Sequence, residues 1–241
     1  MAKKKKKSNL WFMILTIVVV IGGLATLTII NKHEQKQVNE SLPTQKEVDA
    51  LKTEKVTGLD VTGQPMQGEK DAPVTVVKFG DFKCPACKQW EQTVYPQFYQ
   101  EYVTTGKVKF YFVNYAFLGR DSWLAGAAGE IIYKQNPKAF WQYYKTVYKN
   151  QGLETNTWAT ESYLTQLVKE NVDGIDLEQF KKDLHAHKYL KNVKQDYVMG
   201  STLGVQSTPS LMVEDTIVSN SSYASLKAQI ETALKSKGES K

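Results

Sequence analysis

The chain predicts a small α/β domain whose strands are interrupted by a block of helices, carried behind an apolar N-terminal segment. Three observations predict it. Val74 to Phe79 and Val108 to Tyr115 alternate as strands do, the stretch from Gly119 to about Gly200 is helical in period throughout, and strand patterning returns only at Ser210. Leu10 to Ile30 form 21 residues without a charge. The only two cysteines stand together as Cys84-Pro85-Ala86-Cys87, where the first strand pattern gives way to helix.

Lys3 to Lys7 are an uninterrupted basic run ahead of the apolar stretch. At ~1.5 Å per residue, residues 10–30 span roughly the ~30 Å of a bilayer's hydrocarbon core. A cleaved signal peptide carries a shorter apolar region of about 7–15 residues and a small-x-small site, which the stretch from Thr26 to Asn31 does not offer. Residues 10–30 are therefore expected to be a retained transmembrane signal anchor, with cleavage as the alternative. The lysines then place a tail of residues 1–9 in the cytoplasm and everything after residue 30 outside the cell membrane. Without that tail the net charge falls from +6 to +1, and the remaining lysines are dispersed among acids, so no nucleic-acid partner is indicated.

Residues 31–57 are polar, with one helical-looking stretch from Gln45 to Lys55, and read as a stalk. The first part of the α/β domain is assigned to residues 58–118, opened by turn signals at Gly63, Pro65, Asp71 and Pro73. An apolar helical face continues through Val94, Phe98, Tyr99 and Tyr102 to a stop at Gly106. The helical insertion is assigned to residues 119–200, with stripes at Leu124, Ala127 and Ile131, at Phe140, Tyr144 and Val147, and at Leu164, Leu167 and Val168. Asp176 with Gln179 predicts a capping box, and a further helix reaches about Leu203. Residues 201–241 complete the domain with a hairpin, Ser210 to Val213 and Thr216 to Val218, and an amphipathic helix from Tyr223 to Lys235.

A disulfide across two intervening residues closes too small a ring to be an effective staple, but it leaves two sulfurs placed for electron exchange. At a helix N-terminus the free N–H groups and the dipole favour a thiolate. A metal site is not expected: zinc wants four ligands, and His185 and His187, two apart on a helix, point to different faces. With His33 they read as surface residues. Trp141, Tyr143, Tyr144 and Tyr148 read as core rather than as a peptide groove, and Trp90 and Tyr95 as packing behind the CxxC helix. Lys78 either snorkels from a sheet edge or tunes the sulfurs, and Asp81 and Lys83 fit exposed turn positions.

Phe79-Gly80-Asp81-Phe82-Lys83-Cys84-Pro85-Ala86-Cys87, Gly63-Gln64-Pro65, Asp71-Ala72-Pro73-Val74 and the run from Gly204 to Pro209 resemble the DsbA family of thioredoxin-like thiol:disulfide oxidoreductases, above all its membrane-anchored BdbD-type members in Gram-positive bacteria. The likeness covers residues 57 to 236. It implies a thioredoxin fold with an inserted helical domain, Cys84 as exposed nucleophile, Cys87 as buried partner, Pro209 as a cis-proline facing the disulfide, and Thr208 offering backbone groups to a peptide. Pro85 and Ala86 complete the active-site turn. The implied cofactor is none beyond the Cys84–Cys87 disulfide itself. The implied partners are reduced secreted or cell-surface proteins and a quinone-linked membrane protein that re-oxidises the pair. One departure stands out: Lys78 occupies a position, six before the first cysteine, where many family members carry an acid. The resemblance favours an oxidase that makes disulfides. A reductase or isomerase of the same fold, or a tethered binding or chaperone protein with a structural CxxC, are the alternatives, and Cys84→Ser separates the last of these.

Overall fold

The structure, a computed structural model, describes residues 3–238, with side chains from residue 40 onward and at 11–24, 26, 28, 36 and 38 before it. By its internal contacts the chain divides after Ser41 into two units. The first is a single helix, α1 (Lys3–Ser41). Its apolar side chains from residue 11 to 24 are exposed, Trp11 at 72% and Phe12 at 68% among them. Among the described residues no helix is long and apolar enough to cross a membrane. The expected anchor rests in part on Leu10, Ala25, Leu27, Ile29 and Ile30, whose side chains lie outside the described residues, as does that of His33.

The second unit is built on a five-stranded sheet of order β1-β3-β2-β4-β5. Central β2 (Val74–Gly80) runs parallel to β3 (Val108–Asn114) and antiparallel to β4 (Ser210–Val213). β1 (Met66–Gln67) and β5 (Thr216–Ile217) form the edges. Parallel neighbours need a crossover, supplied by α3 (Pro85–Thr93), α4 (Tyr95–Phe98) and a π-turn at Tyr99–Val103. The break between α3 and α4 has a local cause: Pro96 has no N–H to give to the preceding turn. Because side chains alternate across a strand, Val77 and Phe79 enter one core layer with Val113, Met199 and Met212. Val76, Lys78 and Gly80 face the other, an aromatic layer in which Phe112 packs on Phe82 and Tyr144. At Gly80 a Cβ would come within 2.7 Å of Phe112, so only glycine fits.

The helical insertion comprises α5 (Arg120–Gln135), α6 (Ala139–Lys149), α7 (Glu161–Asn171), α8 (Leu177–His185) and α9 (Leu190–Thr202). α10 (Tyr223–Gly238) closes the fold against β4. Trp141, Tyr143, Tyr144, Tyr148, Trp90 and Tyr95 are all core, as the sequence suggests.

Four expectations are corrected. Residues 42–57 are not a free stalk. α2 (Gln45–Ala50), capped by Thr44 and Glu47, buries Val48 against Trp123, Ala127 and Val193, while Arg120 donates to the carbonyls of Leu42 and Pro43. The capping box at Asp176 is half made, since its carboxylate accepts the Gln179 N–H but the Gln179 side chain turns to Asp183. His187 is only 13% exposed and lies 2.7 Å from Glu47 of α2, whereas His185 is exposed as expected. Lys78 lies on the central strand, not at an edge, and is wholly buried.

Candidate active site

β2 ends at Gly80 and delivers a short loop, Asp81 to Lys83, that turns the chain into α3. Cys84 is the N-cap of α3, in extended conformation, and Pro85 takes the first helical position, where a missing N–H costs nothing. Pro85 and Ala86 are exposed and Cys87 is fully buried, but Cys84, expected as an exposed nucleophile, is itself buried at 6% exposure. Both thiols are free. The Cys87 N–H donates to Cys84 Sγ at 3.4 Å, and the Cys84 thiol lies 3.3 Å from the Thr208 carbonyl. That contact brings the two motifs singled out in the sequence face to face, and the Thr208–Pro209 peptide bond is cis.

The sulfurs are electrostatically unequal. Cys84 is lowered from the ordinary thiol value to about 6, first by its hydrogen bond with the Cys87 side chain, against the opposing effect of burial, and then by Thr208 and the Cys87 and Ala86 amides. Cys87 is raised well above the ordinary value by burial, and further by the Cys84 thiol, with the Lys78 cation acting the other way. Lys78 therefore acts on Cys87. At Cys84 the main causes are the Cys87 side chain, Thr208 and the helix-cap amides, and Lys78 is not one of them.

Two buried ion pairs surround this arrangement. Lys78 Nζ sits 2.6 Å from Glu91, donates to Tyr144 Oη at 2.9 Å, and lies 4.6 and 4.7 Å from the Trp90 and Tyr148 ring centres. Tyr144 also donates to Glu91. The carboxylate that pairs with Lys78 stands on α3, one helical turn beyond Cys87. Lys83 Nζ pairs with Asp121 of α5 at 2.8 Å, and Asp121 also accepts the Trp158 and Ala159 N–H groups. Asp81 accepts from Ser122 Oγ at 2.6 Å and from the Phe117, Leu118 and Lys83 amides. Burial raises its carboxyl and these four donors oppose the rise. Asp81 and Lys83 are therefore buried at 1% and 3% exposure and fasten the active-site loop to the insertion; they are not exposed turn residues. Gln151, from the loop after α6, donates to the Phe82 and Cys84 carbonyls.

Sequence reading missed Glu91, Asp121 and Gln151. A Glu four residues after Cys87 is a helical-spacing signal that could have found Glu91; the other two carry none. Among the described residues no three His, Cys, Asp or Glu side chains are grouped to hold a metal. Asn114 joins the buried carboxyls of Glu130 and Asp196, both raised by burial.

A strand-to-helix turn carrying a dithiol of unequal acidity, opposed by a cis-proline, defines a thioredoxin-like redox site. The family model described as Thioredoxin matches residues 60–232. The chain is 41% identical over 216 residues to the probable disulfide bond formation protein D of Bacillus anthracis, covering 90% of this chain and 94% of that one. It is 35% identical over 178 residues to the disulfide bond formation protein D of Bacillus subtilis, covering 73% and 80%. The crystal structure of oxidised BdbD from Bacillus subtilis superposes with a TM-score of 0.70 at 35% identity, over 75% of this chain and 98% of that one. Chlamydia trachomatis DsbA shares the fold, with a TM-score of 0.66 at 21% identity, over 75% and 96%. The chain belongs to the thioredoxin family, in its DsbA-like branch with a helical insertion. It is a thiol:disulfide oxidoreductase of the disulfide bond formation protein D type.

Proposed function

We propose that the chain works as an oxidase, introducing disulfides into reduced secreted or cell-surface proteins from outside the cell membrane. The observation that carries this is the inequality of the sulfurs, with Cys84 held at about 6 and Cys87 well above its ordinary value. A stabilised Cys84 thiolate lowers the free energy of the reduced form, which makes the disulfide a stronger electron acceptor. A substrate thiolate attacks Cys84 Sγ, the Cys84–Cys87 bond breaks, and its electron pair leaves on Cys87, which takes a proton. A second substrate thiolate then attacks the substrate sulfur of the mixed disulfide and expels Cys84 as a thiolate. Two electrons pass to the protein and the substrate keeps the disulfide.

Cys84 and Cys87 are the catalytic pair. Thr208 and Pro209 flank the incoming chain, and Pro85 and Ala86 shape the turn. Outside α1, the large apolar side chains exposed among the described residues are Phe117, Leu153 and Ile217. Phe117 donates its N–H to Asp81, Leu153 follows Gln151 by two residues, and Ile217 lies beside Gly204 ahead of the cis-proline loop. Exposed apolar side chains of this kind suit contact with unfolded polypeptides.

The uncharged stretch Leu10–Ile30 behind five lysines supports a single-pass anchor with the N-terminus in the cytoplasm. An anchored dithiol needs a membrane electron acceptor for turnover, and a quinone-linked partner supplies that chemistry. Equilibration of the pair with glutathione tests the direction. The oxidase reading expects a potential well above the roughly −270 mV of thioredoxin, and a value at that level refutes it.

A further inference from the structure

A groove of about 480 Å³ lies between α3–α4 and α6. Tyr95, Pro96, Tyr99 and Tyr148 give it an apolar floor, and Lys88, Lys145 and Lys149 stand around it. Its carboxylate, Glu91, is already neutralised by Lys78 and Tyr144. Among the described residues Lys145 and Lys149 are exposed and make no ion pair, and Lys88 Nζ reaches only the Gln151 carbonyl at 3.5 Å. The groove is therefore an apolar cleft ringed by uncompensated positive charge.

Its position ties it to the reactive sulfur. Lys88 N–H donates to the Cys84 carbonyl at 3.2 Å, so Lys88 stands one helical turn, ~5.4 Å, beyond the nucleophile on the same face of α3. An extended chain joined to Cys84 reaches the groove within about three or four residues at ~3.4 Å each.

We propose that this groove seats an acidic segment bearing an aromatic or aliphatic side chain, close in sequence to the cysteine being oxidised in a reduced protein substrate. The apolar side chain fills the tyrosine-lined floor, and the flanking carboxylates meet the lysines. This selection of substrate rests on the thiol:disulfide activity of Cys84 and adds a preference to it.

The test uses the full chain in detergent and three dithiol peptides that differ only at the two residues flanking a phenylalanine, in a tripeptide placed three residues from the first cysteine: Glu-Phe-Glu, Gln-Phe-Gln and Lys-Phe-Lys. At low salt the acidic peptide is expected to exceed the basic one about tenfold in kcat/KM, through KM, as two or three exposed ion pairs provide, and the gap narrows as salt is raised. Lys145→Glu with Lys149→Glu should abolish or invert the preference while leaving the Gln peptide's rate and the Cys84 thiolate titration unchanged. Absence of discrimination in the wild type, or its survival in the double variant, overturns the proposal. The Gln peptide alone reports whether the chain oxidises dithiols. If electrons flow the other way, the same ratio is read from reduction of the peptides' disulfides.

Discussion

Two buried lysine–carboxylate pairs of the same chemistry lie on either side of the CxxC and do different work. Lys78–Glu91, at 2.6 Å, joins β2 to α3 beneath Cys87, among the rings of Trp90, Tyr144 and Tyr148, and its cation is felt by the Cys87 thiol. Lys83–Asp121, at 2.8 Å, joins the active-site loop to the first turn of α5, and Asp121 spends its other oxygen on two amides of the insertion. The first acts on a sulfur through its field and the second holds a loop in place. An ion pair's role follows from what stands next to it.

The comparison breaks most sharply at Asp121. Asp121→Ala leaves Lys83 charged and buried and two amides without an acceptor, and should cost about 3–5 kcal/mol in denaturant unfolding. Lys78→Met should cost less, about 2–3 kcal/mol, because Glu91 keeps Tyr144 and some solvent contact. Its distinguishing result is electrostatic: without the cation the Cys87 thiol rises further, read by the pH dependence of its alkylation in a Cys84→Ser background, whereas Asp121→Ala lacks that direct effect.

A third expectation concerns pH. The Cys84 value in the folded, reduced protein is depressed from 9.0 to about 6, so its contribution to stability is complete above pH ~9 and is lost as pH falls towards 6. The disulfide form has no such group. The reduced protein should therefore lose roughly 2 kcal/mol of stability relative to the oxidised protein over that range, after screening by solvent is allowed for, as followed by thermal unfolding of the two forms. The smallest effect is expected for Lys78→Met combined with Glu91→Gln, which removes both charges and retains an acceptor for Tyr144. Stability should stay within about 1 kcal/mol of wild type, and a larger loss would show the pair to be structural after all.

What the sequence disclosed was local. Alternation from Val74 to Phe79, the proline after Cys84 and the Thr208-Pro209 step each announce themselves within a few residues, and they place the dithiol, its helix and the opposing loop. What it concealed depends on partners far along the chain. Lys78 looks like an edge residue until the strand order puts β2 at the centre of the sheet and α3 brings Glu91 to it. Asp81 and Lys83 look like turn residues because their partners, Ser122 and Asp121, come about forty positions later. Residues 42–57 look like a stalk because Val48 and Leu51 are few, and only the site offered by Trp123, Ala127 and Val193 makes two apolar side chains enough. The two-residue strand β1 is too short to show any period.

The account turns on Cys84 owing its acidity chiefly to Cys87, Thr208 and the amides of the helix cap rather than to the neighbouring lysines. Titration of the reduced protein by ultraviolet thiolate absorbance, in wild type and Lys78→Met, tests this directly. A Cys84 value of about 6 in both proteins is the predicted result. A value near the ordinary 9.0 in wild type, or one that climbs when Lys78 is removed, would contradict it.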